Sequence, residues 1–340
     1  MKALVFLEPR KLGWVDKPEP VAGPGEVIVE TRAVAICGSD IHGYTGENRR
    51  RTPGNPMGHE ATGQVVALGE GVPASWLGKR VVMFPTLACG QCDQCLTGHS
   101  QRCRHRRFMG NNAVGAMAER LSLPLANLVP LSDGVSYPVG ALTEPTAVAI
   151  HGVRQAGDLT GRTVLIAGAG PIGLLVLLAA RAQGARAVAV TVRSPWRREL
   201  AVALGASVAV DPTQEGWRQE IARVLDVEEM DVAIDAGGIQ PTFDQCLEAV
   251  VPGGTVVTLG SFMTLQLNLI RMAGKEIHLV GSLTYTTNEF WETAEAISAG
   301  KLDPSPLITE LRPLSEGAAV FQELADHPSR ALRVVLTAGS

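Results

Sequence analysis

Cysteine spacing carries the strongest chemical signal in this chain. Four of the six cysteines, Cys89, Cys92, Cys95 and Cys103, fall within fifteen residues as Cys-x-x-Cys-x-x-Cys-x7-Cys. Such crowding favours a metal over disulfides in a reducing compartment. Four thiolates round one tetrahedral zinc make a closed, structural site with no open position. A redox pair is the alternative at this spacing. A nucleic-acid zinc ribbon is another, because Arg102, Arg104, His105, Arg106 and Arg107 follow closely. On a chain of net charge −4 that basic run reads first as a solvated face.

Two further segments carry candidate ligands, Cys37-Gly38-Ser39-Asp40-Ile41-His42 and Gly58-His59-Glu60. Cysteine, histidine and carboxylate together form the mixed donor set of a catalytic zinc that keeps one position open. The triplet Arg49-Arg50-Arg51 lies between them. It could bind an anionic group, although a charge run is more commonly a solvated loop.

Gly168-Ala169-Gly170-Pro171-Ile172-Gly173 is a G-x-G-x-x-G set between the apolar strand Thr163 to Ala167 and an Ala/Leu-rich helix. The first glycine permits the tight turn, the second lets the backbone approach a pyrophosphate, and the third allows close helix–strand packing. The helix N-terminus attracts the phosphates. NAD sites carry an acid about 20 residues further on, at the end of the second strand, to hold the ribose 2′-hydroxyl. Here that position is Val192, followed by Arg193, Ser194, Arg197 and Arg198. A 2′-phosphate would gain guanidinium and hydroxyl partners there, so the expectation is NADP, with NAD possible.

These residues need elements to position them. At 340 residues the chain should form about two domains. Apolar residues at 46% and charged residues at 19% exclude intrinsic disorder. Fifteen aromatic residues and an acidic balance argue against nucleic-acid binding. The longest apolar stretch, Pro171 to Ala180, ends at Arg181, short of the ~20 residues of a membrane span. The N-terminal apolar run is too short for a signal peptide, so a cytoplasmic protein is expected.

Residues 1 to about 149 read as short strands separated by Pro-Gly turns: Glu26 to Glu30, Gly63 to Gly69 and Lys79 to Met83. From about residue 160, strands alternate with helices, which predicts a parallel sheet covered on both faces. The segment Asp235-Ala236-Gly237-Gly238 ends one of those strands at the carboxyl edge, where cofactors bind. Cys246 reads as a buried helix residue.

With these motifs in this order, the whole chain resembles the zinc-dependent medium-chain dehydrogenase family of alcohol, sorbitol and threonine dehydrogenases. The resemblance implies an α/β fold: a GroES-like β-rich catalytic domain from residues 1–149 and 287–340, and a doubly wound Rossmann domain over 150–286. The structural zinc lobe would span about 86–108. Cys37 and His59 match the family's first two catalytic zinc ligands, and Asp40 an acid that orients them. Leu142-Thr143-Glu144-Pro145 resembles the polyol and threonine branch, where Glu60 or Glu144 completes the zinc shell. Ser39 and His42 match a proton relay that runs through the cofactor ribose. Tyr44 stands where a residue lining the substrate pocket would, and simple packing is an equal account of it. Leu259-Gly260-Ser261 and Ser282-Leu283 match stretches that contact the nicotinamide. The resemblance further implies hydride transfer between NADP and a secondary alcohol (a polyol, cyclitol or amino alcohol), and a homodimer or homotetramer. A sugar phosphate or hydroxyamino acid is the alternative substrate, and a non-catalytic binding protein with the same fold is the alternative class.

Overall fold

The computed structural model describes residues 1–47, 51–259, 264–328 and 330–338. The chain divides into two compact units, residues 1–144 with 286–340, and residues 145–285. The first boundary falls earlier than the expected 149, because the helix Thr143–Gln155 begins in one unit and continues into the other. Among the described residues no helix is long and apolar enough to cross a membrane.

The first unit is built on a seven-stranded sheet. Along its main path the strands run Ile308–Pro313, Arg333–Thr337, Glu26–Ala35, Glu60–Leu68, Arg80–Met83 and Leu128–Pro130, with Arg120–Pro124 also paired to Glu26–Ala35. Side chains on one face, Val27, Val29, Val34, Val65, Val81 and Leu336 among them, pack with Met57, Met117 and Phe321 into one core. Each such fully buried aliphatic or aromatic side chain contributes roughly 1.5–3 kcal/mol. The strand beginning at Glu26 runs on to Ala35, beyond the short alternating stretch that predicted it. Its extension places the site. Ala35 pairs with Val335 on one side and with Glu60 on the other. The next residues turn into the short helix Gly38–Thr45, with Cys37 at its N-cap. Sheet register therefore carries the start of the chain, the His59-Glu60 segment and the last strand to one place.

The second unit is a six-stranded sheet in which each strand pairs parallel to its neighbours. Its order is Val208–Val210, Ala187–Thr191, Thr163–Ala167, Met230–Asp235, Val250–Thr258, His278–Gly281. In chain order this is 3-2-1-4-5-6, the doubly wound dinucleotide arrangement. The topological switch lies between Thr163–Ala167 and Met230–Asp235, and ligands bind outside the carboxyl ends of strands at such a point. Leu165, Ala189, Phe243, Val256 and Cys246 share one core, so Cys246 is a packing residue as expected.

The glycine-rich turn shows why its residues are small. Gly168 has φ +102°, a conformation that disfavours any side chain. A Cβ on Gly173 would stand 1.9 Å from the Gly168 carbonyl oxygen, so only glycine lets the helix Pro171–Ala182 approach its strand. Replacing Gly173 with Ala should therefore lower unfolding free energy by about 1–3 kcal/mol. Chemical denaturation of the variant checks this; a wild-type midpoint would contradict it.

Candidate active site

Three potential ligand atoms, from Cys37, His59 and Glu60, lie within 4.8 Å of one another. All three come from the first unit. Cys37 caps the helix Gly38–Thr45, His59 precedes the strand Glu60–Leu68, and Glu60 is its first residue. Asp40 is fully buried behind them. One of its oxygens accepts the Cys37 backbone N–H at 3.2 Å, and the other lies 3.5 Å from His59 Nδ1. That second distance is longer than a hydrogen bond, so the contact is electrostatic. With Nδ1 turned to Asp40, Nε2 is the nitrogen left to face a metal, as in carboxylate–histidine–metal arrangements. Phe108 packs against the His59 ring with centroids 5.1 Å apart.

Two arginines complete the cluster, and motif reading missed both in this role. Arg333 is 2% exposed and pairs with Glu60 Oε1 at 2.9 Å while donating to the Ile36 carbonyl at 3.0 Å. Its signal in the sequence is faint: one arginine heading the otherwise apolar strand Arg333–Thr337. Arg51 donates to Asp40 Oδ1 at 2.8 Å and to the carbonyls of Ser39 and Gly110. This corrects both expectations for Arg51, which is neither a solvated loop residue nor a free anion clamp. Arg49 and Arg50 lie outside the described residues.

Charge balance tests whether a metal fits. Cys37 as thiolate, Asp40, Glu60 and Glu144 are four anionic groups, set against the two guanidiniums of Arg51 and Arg333. The deficit of two charges matches a divalent cation. Without a metal, protons meet it. Burial pushes the Glu60 carboxyl well above its usual range, against the pull of Arg333. Burial alone would lower His59, but the Asp40 charge and the Cys37 contact hold it well above. Burial of Cys37 is outweighed by His59 and Arg333, which bring its thiol to about 5. Burial of Asp40 is outweighed by His59 and Arg51, which hold it at about 2. The donors suit zinc, with thiolate, imidazole and carboxylate leaving a fourth position. Glu144, in the first turn of Thr143–Gln155, stands outside the trio, but its charge reaches Glu60 and Arg333.

The four remaining candidate thiols also converge. Cys89–Cys103 and Cys92–Cys95 sulfurs are 3.5 Å apart, and Cys89–Cys95 3.9 Å. A tetrahedral zinc with bonds of 2.3 Å would space its sulfurs by about 3.8 Å, whereas a disulfide needs about 2.05 Å. Without a cation the crowding leaves Cys95 pushed up to about 12, first by burial and then by neighbouring sulfurs. Arg102, Arg104, His105 and Arg107 are exposed around this lobe, as a solvated face should be.

Ser39 and His42 lie one turn apart on the helix Gly38–Thr45. His42 is exposed, with Nδ1 held 2.6 Å from Glu47. Of the two accounts of Tyr44, packing is the one its surroundings fit. It is 4% exposed, packs edge-on against Phe321 and donates its hydroxyl to the Arg10 carbonyl. It is a core residue.

In the second unit, Gly168 and Gly170 lead into the helix Pro171–Ala182, with Gly170 at its N-cap and Pro171 and Ile172 in its first turn. A Cβ on Gly170 would meet no atom within 4 Å, so the backbone there is open to a pyrophosphate. Val192 follows the strand Ala187–Thr191, and its N–H donates to Val210. Arg193 is exposed and Ser194 caps the next helix, Pro195–Ala203. Arg198 does not face outward. Its Nη1 donates to the carbonyls of Val192 and Arg193 and lies 3.4 Å from Asp211. Arg197 is half-buried, its guanidinium 5.1 Å from the Trp196 ring centroid. Of the basic cluster expected at this strand end, Arg198 thus has Nη1 engaged by backbone carbonyls and Asp211. Asp235 is occupied by its own turn, accepting the N–H groups of Gly237 and Gly238. Leu259 is half-buried and Leu283 is 47% exposed. Gly260 and Ser261 lie outside the described residues.

Known proteins share this organisation. Residues 23–133 match the alcohol dehydrogenase GroES-like domain, and residues 171–299 the zinc-binding dehydrogenase domain. The chain is 31% identical over 338 residues to the L-galactonate-5-dehydrogenase of Escherichia coli K12, covering 99% of each. It is 34% identical over 314 residues to an L-threonine 3-dehydrogenase of Mesorhizobium japonicum, covering 91% of each. An alcohol dehydrogenase of Escherichia coli CFT073, solved with NADH, superposes with a TM-score of 0.91 at 27% identity, over 99% of each chain.

The Arg333–Glu60 pair makes a measurable prediction. Arg333→Met leaves the buried Glu60 carboxyl and the Ile36 carbonyl without their donor, which costs about 1–3 kcal/mol even with that carboxyl protonated. Equilibrium unfolding of the metal-free protein should show that loss. Glu60→Gln in the same chain should recover part of it, and equal stability of wild type and Arg333→Met would exclude the pairing.

Proposed function

Because the chain belongs to the zinc-dependent medium-chain alcohol dehydrogenase family, we propose that it transfers hydride between a polyol-type secondary alcohol and NADP, giving the ketone. The observation that carries this reading is the Cys37, His59 and Glu60 trio, whose three mixed donors leave one tetrahedral position for substrate. Zinc held there supplies Lewis acidity that lowers the pKa of an oxygen ligand, and the nicotinamide supplies the hydride acceptor.

The chain's own residues do the rest. Cys37 and His59 hold the metal, and Glu60 or Glu144 provides the carboxylate. Asp40 orients His59. Ser39 and His42 would relay the substrate's hydroxyl proton by way of the cofactor ribose to solvent, with the His42 Nδ1 steadied by Glu47. Cys89, Cys92, Cys95 and Cys103 hold a second zinc that only shapes their lobe. In the other unit, Gly168, Gly170, Pro171, Ile172 and Gly173 cradle the pyrophosphate, with Leu259 and Leu283 beside the nicotinamide.

Carboxylate in place of a second thiolate hardens the metal shell, which suits substrates with several hydroxyls. The likeness to L-galactonate-5-dehydrogenase supports a polyol-class substrate, and the threonine dehydrogenase likeness supports a hydroxyamino acid as second reading. Arg51 itself is committed internally and does not serve as an anion clamp for a substrate. Exposed Leu269, Ile270 and Leu279, around the edge strand His278–Gly281, support self-association. Cysteines kept as thiolates for zinc suit a cytoplasmic location.

NADP preference rests on Val192 where an NAD site carries an acid, with Arg193 and Ser194 beside it. Steady-state kinetics should give a higher kcat/KM with NADP than with NAD. Arg193→Ala should lower the NADP value about tenfold, as loss of one exposed charged hydrogen bond would, and leave NAD little changed. A clear NAD preference in the wild type would sink this reading.

The metal assignment has its own check. Cys37→Ala should abolish oxidation of a panel of polyols and amino alcohols and lower bound zinc from about two to about one per chain. Two zinc ions retained in that variant would refute the site.

A further inference from the structure

Arg51 does not belong to the ligand set and is not explained by the reaction. Its side chain is 4% exposed, so no solvent-borne anion reaches it. It spends its terminal nitrogens on three acceptors: Asp40 Oδ1, the Ser39 carbonyl and the Gly110 carbonyl. Two of these lie on the helix Gly38–Thr45, and the third on the loop after Phe108, whose ring packs on His59.

A second observation is independent of those bonds. Glycine in a helix interior costs roughly 1 kcal/mol relative to alanine, yet Gly43 sits within this short helix. A Cβ there would stand 2.3 Å from Arg51 Nε and 2.9 Å from its Cγ. The missing side chain is the passage through which the guanidinium reaches Asp40. Nε itself faces that passage without an acceptor. The fork is aimed by its other nitrogens.

We propose that Arg51 is a positioning residue of the metal centre: threaded beneath the Gly38–Thr45 helix at Gly43, it fixes the Asp40 carboxylate, which in turn fixes Cys37 and His59. Asp40 touches the backbone N–H of one ligand and faces the ring of the other. A carboxylate free to turn would lose both at once. Nη2 donates to one Asp40 oxygen and to the Ser39 carbonyl, and Nη1 anchors that assembly to the Gly110 carbonyl. Lysine could meet the charge but not the fork. The inference rests on the reading that Cys37 and His59 hold zinc.

The test is zinc retention by the holoenzyme, measured by competition with a graded chelator and metal analysis of the recovered protein. Arg51→Met should hold one of its two zinc ions about 10- to 100-fold more weakly, the usual effect of removing a group behind a metal ligand. The zinc on the four thiolates should be unchanged. Gly43→Ala keeps every polar group but puts a Cβ where Nε lies, and should weaken the same zinc. Arg51→Lys should recover only part. In an Asp40→Asn background, Arg51→Met should add less than it does alone. Cobalt substitution gives a readout apart from activity: the thiolate–cobalt band of the Cys37 site should shift in Arg51→Met and Gly43→Ala. If wild type holds only the four-thiolate zinc, the reading of the Cys37 site fails. If wild type holds two, and the Arg51 and Gly43 variants keep both with unaltered affinity and spectrum, Arg51 is a packing residue and the proposal is overturned. Should Arg51→Met not fold, the Lys and Gly43 variants decide by the same criteria.

Discussion

A buried group of like charges is the constraint on which the first unit depends. Asp40, Glu60 and Glu144 stand with the Cys37 sulfur in a region largely closed to water, and unpaired charges there would cost several kcal/mol each. Arg51 and Arg333 offset half of that charge. The rest calls for either a divalent cation or two protons. A cation bound at this centre would displace protons from it. The same balance explains why Asp40 stays ionised while Glu60, a short distance away, is pushed up.

The scaffold is arranged to make that balance possible. Ala35 lies between Glu60 and Val335 in the sheet, so one register brings Cys37, Glu60 and Arg333 together from distant parts of the chain. A slip of one residue would turn Glu60 or Arg333 to the other face. In the second unit the requirement is different. At the glycine-rich turn the backbone must come close and leave room, which Gly168 and Gly173 permit. One unit is thus specialised for holding charge, and the other for presenting backbone.

How much of this was legible in the sequence depended on distance along the chain. The zinc lobe and the glycine-rich turn are local, and their spacing alone indicated their geometry. The parallel sheet was legible because each apolar strand, such as Thr163–Ala167, is bounded by turn residues. Arg333 was not legible, since its partner lies far away in sequence and only sheet register joins them. Arg51 was hidden inside a charge run, whose ordinary fate is solvent. Tyr44 was left between pocket and packing because helical position does not say which face meets the core. Arg198 looked available to a phosphate until the carbonyls of Val192 and Arg193 were seen to claim it. Motifs report which atoms are present; the hydrogen-bond demands of neighbouring backbone decide which remain available.

X-ray absorption at the zinc edge tests the central claim most directly, because it counts sulfur ligands without reference to activity. One four-thiolate site and one Cys–His–carboxylate site should average about 2.5 sulfurs per zinc at about 2.3 Å, the remaining ligands being nitrogen or oxygen at 2.0–2.2 Å. A fully loaded protein showing four sulfurs per zinc would mean that the charge deficit beside Cys37 is met by protons alone, and would contradict the account.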